Sequence, residues 1–435
     1  MKIKIKTMIL LLTLTGLILP FTAAAGDRII KGETLDIQQC VDIALKNHPS
    51  ILSAAGTLKA GESRVGQARS GYYPQVSGSV VYNRISPYET SSGGRLAPND
   101  KGAYDVTNSS IALSQNLFDF GKTAAQVRIQ SLNLDSSRAD FADVKSRVVF
   151  GAKQAYYELL RARRNRDVGR EVVGQYEQHL ARAKGFFEIG VKPKFDVTKA
   201  EVDLSNAKLS LLKAENAFRV ARVTLNNALG LPEAPDFEIQ DSLDLPRAEV
   251  DLDAALRKAF DRRPDLQAIL VKEKALEETI AYEKKGYYPY VTGNASYGWG
   301  GDSFPLDHGW NIGATLNIPL FSGLSTKYQV DEARANLEVL KANEETLRQS
   351  IHLDVQQAWL NLREAADRIV TAEISVRQAM ENLELANGRY ASGVGSPIEV
   401  TDALVAESNA KTSFNAALYD YRVAQASMEK ATGEK

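Results

Sequence analysis

The stretch Gly71-Tyr72-Tyr73-Pro74-Gln75-Val76-Ser77-Gly78 returns 215 residues later as Gly286-Tyr287-Tyr288-Pro289-Tyr290-Val291-Thr292-Gly293. His48-Pro49 and Arg263-Pro264 share that offset. From Leu117-Phe118, matched by Leu320-Phe321, the offset becomes 203. It then holds through Phe187/Tyr390, Gly190/Gly393, Val197/Val400, Thr198/Thr401 and Gly230/Gly433. So constant an offset marks an internal duplication. The twelve-residue change falls between Gly78 and Leu117, a variable loop. The repeats are expected over residues 26–230 and 251–435. They join through 231–250, where Pro232, Pro235 and Pro246 interrupt any regular element.

Each half reads as helix, two strands, very long helix, turn, helix. Strands are expected at about 76–86, 104–118, 290–300 and 310–320. Long helices are expected at about 121–187 and 324–391, each followed by a shorter one, about 196–229 and 397–432. No proline occurs from Asn99 to Lys192 or from Leu320 to Ser396. Within the second gap apolar residues recur at alternating spacings of three and four: Val330, Ala333, Leu337, Leu340, then Ile351, Val355, Ala358, Leu362, Ala365, Ile369, Ala372, Val376, Ala379, Leu383, Ala386, Tyr390. That is a coiled-coil seam with one phase slip near Ile351, a stutter that relaxes the supercoil. At 1.5 Å per residue the helix spans about 100 Å, too long for an ordinary globular domain.

The strands alternate. Trp310, Ile312, Ala314, Leu316, Ile318 and Leu320 alternate with Asn311, Gly313, Thr315 and Asn317. Val291, Ala295, Tyr297 and Trp299 alternate with Thr292, Asn294, Ser296 and Gly298. Val76, Val80 and Tyr82 do so against Ser77, Ser79 and Asn83, and Ile111, Leu113 and Leu117 against Ser110, Ala112, Ser114 and Asn116. A soluble antiparallel sheet packed on a core shows the same pattern. Length, aromatic ends and a small-polar second face match transmembrane β-barrel strands. Four strands cannot close a barrel, and an open edge cannot sit in lipid, so several chains must share one. The loops Ser86–Ala103 and Gly300–Gly309 are rich in Gly, Ser, Pro and Asp, as outward loops should be.

Composition narrows the classes. The 435 residues are 44% hydrophobic and 25% charged, with a mean hydropathy of −0.26, which excludes a polytopic helical membrane protein. The one apolar run, Met8 to Leu19, follows Lys2, Lys4 and Lys6 and precedes Ala23-Ala24-Ala25, a signal-peptide pattern over 1–25. Cleavage before Gly26 leaves 50 basic against 54 acidic residues, a formal charge of −4 that gives nucleic acid no reason to bind. The single cysteine, Cys40, excludes an internal disulfide and does not follow the signal core as a lipoprotein cysteine would.

The segment Arg389-Tyr390-Ala391-Ser392-Gly393-Val394-Gly395-Ser396-Pro397-Ile398-Glu399-Val400-Thr401-Asp402-Ala403 resembles the helix-hairpin signature of the TolC-like outer-membrane channel family. A weaker copy runs from Phe187 to Ala200. Also family-like are Ala44-Leu45-Lys46-Asn47-His48-Pro49, the two Gly-Tyr-Tyr-Pro stretches and Asn116-Leu117-Phe118-Asp119. The resemblance covers about Leu35 to Gly433. It implies an α+β membrane protein: mainly a long α-helical coiled-coil barrel, with four strands per chain in a trimeric, twelve-stranded transmembrane barrel. It places the chain in the outer membrane, extending into the periplasm. It also implies a homotrimer in outer-membrane lipid, with a periplasmic adaptor and an inner-membrane pump as partners. The hairpin tips, Gly190, Val191, Lys192 and Pro193 with Gly393, Val394, Gly395 and Ser396, are then the adaptor-docking residues.

Gly190 and Gly393 suit the left-handed position that ends a helix, and Pro193 and Pro397 suit restarting the next. Glu399 and Asp402 fall in the first turn of a helix, where carboxylates favour the positive dipole end. Their i, i+3 spacing also shares one face. In three copies around a mouth they would form two acidic rings, a cation-selective constriction as the family uses. Both readings of the pair stand. The resemblance further implies a gate contact between Tyr390 and Asp196. A second family contact uses an Arg where this chain has Gly395, opposite Phe195.

No catalytic constellation, metal-ligand motif or cofactor motif is present. His48, His179, His308 and His352 are scattered, and Cys40 has no His partner motif. The expected function is a passive exit duct for small molecules, not an enzyme. The alternatives are the channel of a type I protein secretion system and a soluble periplasmic coiled-coil adaptor.

Overall fold

A computed structural model describes residues 31–86, 103–241 and 250–434. The signal segment 1–25, most of the first outer loop and part of the linker lie outside the described residues. In the first repeat, helices α1 (Ile37–Asn47) and α2 (Pro49–Arg69) lead into strands β2 (Gln75–Ile85) and β3 (Tyr104–Phe118). Helices α3 (Lys122–Glu188) and α4 (Lys194–Ala228) follow. The second repeat runs α5 (Leu252–Arg262), α6 (Pro264–Lys284), β5 (Tyr290–Gly301), β6 (Asp307–Asn317), α7 (Ser325–Ala391) and α8 (Pro397–Ala431). Corresponding helices have equal lengths of 11, 21, 67 and 35 residues.

Three local expectations change. Each half opens with two helices rather than one. The break falls at His48 (φ −65°, ψ 127°) and Arg263 (φ −61°, ψ 123°), because a residue before proline is pushed from helical to extended backbone. The linker also contains a regular element: β4 (Glu238–Ile239) pairs in parallel with β1 (Thr34–Leu35). The last strand ends at Asn317, not at 320. Pro319 has no N–H to give the ladder.

The long helices organise everything else. Of the seam residues on α7, Val330, Ala333, Ile351, Val355, Ala358, Leu362, Ala365, Ala372, Leu383, Ala386 and Tyr390 are buried, and the others are half-buried. α3 lies along α4, and α7 along α8. α4 is 35 residues long and α3 is 67, so the rest of α3 pairs with α2. The splice between α4 and α2 is glycine-made. Gly230 (φ +74°) caps α4 so close to the α1–α2 junction that a Cβ would lie 2.7 Å from Asn47 C and 2.8 Å from His48 Cα. Gly433 (φ +71°) caps α8 against Arg262 and Arg263 in the same way.

Around this splice a belt core gathers Cys40, Val41 and Ala44 of α1, Tyr156, Leu159 and Leu160 of α3, Leu225 of α4, and Leu418 and Tyr419 of α8. Tyr156 donates to Gln240 O at 2.5 Å. Ala255 and Ala259 of α5 pack on Ile351, Val355, Ala358 and Leu362 of α7, and Trp359 donates to Val250 O at 2.8 Å. No described helix is long and apolar enough to cross a membrane.

The four longer strands form one antiparallel sheet ordered β2-β3-β5-β6, so the two repeats meet at β3–β5. Val76 pairs with Leu113, Leu113 with Ala295 and Ala295 with Ile312, while Ile111 pairs with Tyr297 and Tyr297 with Trp310. One face is therefore continuously apolar, and it is bare: Val80 and Trp310 are each 76% exposed and Ile312 72%. The opposite face carries Ser77, Ser79, Ser110, Ala112, Asn294, Ser296 and Asn311, with Ser79 and Ser110 hydroxyls 2.9 Å apart. At the strand-to-helix turns, Phe120 (φ +52°) and Gly121 (φ +77°) correspond to Gly323 (φ +62°) and Leu324 (φ +69°). Two left-handed residues reverse the chain in each repeat. Asp119 secures the first turn by accepting from the Gly121, Lys122 and Thr123 amides at 2.8–3.1 Å.

Candidate functional site

The helix ends farthest along the chain from the sheet are the two hairpin tips, and the 203-residue offset persists in their hydrogen bonds. α3 closes with Gly190 N to Phe187 O (3.0 Å) and Val191 N to Phe186 O (2.9 Å), the paired bonds of a Schellman end. α7 closes with Gly393 N to Tyr390 O (3.0 Å), and Gly395 N reaches Arg389 O at 2.9 Å. Gly190 (φ +74°) and Gly393 (φ +79°) are left-handed with open space around them. Pro193 caps α4. Ser396 caps α8 ahead of Pro397. Val191 and Val394 are exposed, as are Ile189, Phe195 and Ile398 beside them. Those last three are apolar residues at helix ends that flank a turn, the signal that marks them in the sequence. Lys192 is half-buried, its Nζ 3.5 Å from Gly395 O, so it ties tip to tip.

Glu399 and Asp196 hold the same place, the third residue of α8 and of α4, yet they meet opposite fates. Glu399 is exposed and completes a capping box with Ser396, whose amide lies 3.4 Å from Oε1. Its other oxygen accepts from Arg389 Nε at 3.0 Å. That guanidinium bond is the main reason its carboxyl sits below the usual range. Asp402 lies one residue short of a turn further on, also exposed, and forms no ion pair among the described residues. Arg389 begins the quoted signature, and its role shows only once the hairpin folds back on it.

Tyr390 is fully buried, with its ring 5.2 Å from His179 and 5.6 Å, edge-on, from Phe186. Lys192 Nζ sits 5.7 Å from the ring centroid. Burial and then the charge of buried Asp196 push the phenol pKa up. Tyr390 and Asp196 are both buried, and no hydrogen bond joins them: the Tyr390 hydroxyl has no partner among the described residues. Gly395 is tightly enclosed. A Cβ there would lie 2.7 Å from Tyr390 N and 2.8 Å from Arg389 C, so this tip geometry has no room for a larger residue.

Behind the tips, a partly buried polar seam joins the hairpins. Thr401 donates to Asp203 at 3.1 Å, Gln175 to Glu407 at 3.0 Å and Lys411 to Glu171 at 2.7 Å. Asp203 also takes Lys199 at 2.5 Å. None of the three pairs that join the hairpins stands out in sequence, since each links polar residues of long polar helices 198 to 240 positions apart.

A profile of the outer membrane efflux protein family matches residues 40–231 and 255–434. The chain belongs to that family. Members are outer-membrane channels rather than enzymes, and this chain is an outer-membrane efflux protein. It is 23% identical to the outer membrane protein TolC of Vibrio cholerae over 404 residues, covering 90% of this chain and 89% of that one. It is 25% identical over 391 residues to protein CyaE of Bordetella pertussis, covering 85% and 78%. Among solved structures, the Campylobacter jejuni CmeC outer membrane channel superposes with a TM-score of 0.80 at 19% identity, over 91% of this chain and 85% of that one. The fold is that of the outer membrane efflux proteins, and it leaves no place for the soluble-adaptor alternative.

Proposed function

We propose that three copies of the chain close into one duct, a twelve-stranded barrel in the outer membrane continued by a helical tunnel. The observation that carries this is the sheet: four strands, one bare apolar face, and an open edge on β2 and on β6. Eleven residues at about 3.3 Å rise make a strand of about 36 Å, which at a tilt near 40° stands about 28 Å tall and suits the apolar band of a barrel. Pairing β6 of one copy with β2 of the next removes every edge, as lipid requires.

The exposed apolar tips around Gly190, Val191, Lys192, Pro193, Gly393, Val394, Gly395 and Ser396 then meet a periplasmic adaptor coupled to an inner-membrane pump. The duct passes small molecules delivered by that pump. Glu399 and Asp402 line the mouth as acidic rings, Glu399 partly neutralised by Arg389. Tyr390 and Asp196 hold the mouth shut. The test is reconstitution: outer-membrane fractions should yield a heat-labile trimer that conducts weakly with the mouth closed. Glu399→Ala with Asp402→Ala should lower cation preference, and Tyr390→Ala, which removes the ring packed on His179 and Phe186, should raise conductance. Recovery as a soluble monomer would overturn the duct, and unchanged selectivity and conductance would overturn the roles at the mouth.

A further inference from the structure

A large groove lies at the foot of the sheet, over the start of α3 and between α2 and α6. Its cavity volume is about 910 Å³, in the range that holds a drug-sized molecule. Asn116, Tyr290 and Thr292 place it on the polar side of the sheet, which in the proposed duct faces the interior. Its walls come from α2, α3 and α6 of one chain, with Ser70, Gly71 and Pro319 at its rim.

Its charge is one-sided. Arg64, Lys122 and Lys285 line it, with Asp119 the single carboxylate. Asp119 is fully engaged: besides the three turn amides it accepts the Thr123 hydroxyl at 2.5 Å and the Asn116 amide at 2.8 Å. Burial raises its pKa, but these bonds outweigh burial and hold it below the usual range. The lysines are fixed in place. Lys285 donates to Phe120 O at 2.9 Å, and Lys122 Nζ sits 5.1 Å from the centroid of the Tyr282 ring. An ammonium has three donors, so Lys285 keeps two for a ligand. Arg64 is exposed and makes no ion pair or hydrogen bond among the described residues. Tyr288 and Tyr290 present half-exposed rings in the same groove.

Unpaired cations beside flat aromatic faces recognise one kind of molecule: an aromatic ring to stack and an anionic group to pair. We propose that this groove is a lumenal binding site for aromatic organic anions, with Arg64, Lys122 and Lys285 holding the anion and Tyr282, Tyr288 and Tyr290 the ring. The assignment to cargo rests on the duct reading; the binding itself does not. It gives the duct a cationic station beyond an acidic mouth.

The probe is 2-naphthalenesulfonate, titrated by equilibrium dialysis into the full-length protein in detergent and then tested for block of single-channel current. Wild type should bind it at least fivefold more tightly than cyclohexanesulfonate. Lys122→Gln/Lys285→Gln should weaken binding tenfold or more, and Arg64→Gln about threefold. Arg64 is exposed and unpaired, so its variant folds whatever the double variant does. Arg128→Gln removes an ion pair with Glu278 outside the groove and should leave binding unchanged. Equal affinity in wild type and Arg64→Gln, or equal affinity for the two sulfonates, overturns the site. A protein that conducts but shows no binding also overturns it. One that binds but never conducts overturns the duct instead.

Discussion

Replacing Gly230 by alanine tests the splice on which the helical architecture depends. Two costs follow from its geometry. The residue sits at φ +74°, where an L side chain costs about 1–2 kcal/mol. Its Cβ would also fall 2.7–2.8 Å from backbone atoms of Asn47 and His48. Backbone cannot rotate away as a side chain can, so relief requires α4 and α2 to separate, and overpacking of this kind adds about 1–3 kcal/mol. Gly190 provides the control, with the same φ of +74° and nothing within reach of a Cβ. Gly190→Ala should therefore cost about 1–2 kcal/mol, and Gly230→Ala about 2–5. The measurement is urea unfolding of the detergent-solubilised protein, followed by far-ultraviolet circular dichroism, with midpoints compared at constant slope. If Gly230→Ala fails to accumulate while Gly190→Ala is produced normally, the order still holds. Equal midpoints would refute the claim that α4 and α2 are stacked through this residue, and Gly433→Ala should repeat the result in the second half.

Leu324 also sits left-handed, at φ +69°, and is half-exposed, so Leu324→Gly should stabilise the turn by about 1 kcal/mol in the same assay; a loss of stability would disprove strain there. Burial, with Asp36 adding to it, pushes the Cys40 thiol up to about 12. A maleimide at pH 8 should therefore leave the folded protein unlabelled and react fully in denaturant, and rapid native labelling would show that α1 is not docked. Burial outweighs Asp203 and Asp196 and lowers the His179 pKa, with Arg182 and Lys199 acting in the same direction. The stability given by the neutral ring is then complete above the unfolded pKa near 6.5 and is lost as pH falls from there to the folded value. His179→Phe should flatten that loss between pH 7 and 5, and an unchanged profile would assign it elsewhere. Arg389→Gln releases Glu399 and should increase cation preference in bilayers, whereas an unchanged reversal potential would mean that Glu399 does not face the path.

The periodic features were legible because repetition amplifies them. An offset of 203 survives in residues as spare as Gly230 and Gly433, and a seam of three-four spacings can be read wherever a helix is long enough to show many turns. The helix breaks at His48 and Arg263 were missed although Pro49 and Pro264 were in view, because a proline at the first helical position reads equally as a start. The two-residue pairing of β1 with β4 has no period at all. The polar seam was illegible for a different reason. Thr401 meets Asp203, and Gln175 meets Glu407, across separations that only the packing of α8 against α4 and α3 creates.

Duplication explains the scaffold but not the chemistry laid on it. The positions that carry backbone geometry have stayed paired: Gly190 with Gly393, Gly230 with Gly433, and the left-handed turns at 120–121 and 323–324. The positions that carry charge have diverged. Asp196 and Glu399 share one place at the start of a helix, yet one is buried and the other exposed beside Arg389. Lys199 and Asp402 also correspond, with opposite charge. Lys199 pairs with Asp203 one turn on, and Asp402 forms no ion pair among the described residues. The turns keep their left-handed backbone in both repeats even where the residue differs, as at Phe120/Gly323 and Gly121/Leu324. The helix surfaces are free to differ, because a long helix folds equally well with either sign of charge. At the third residue of α4 and α8, one hairpin accordingly buries its carboxylate and the other presents it.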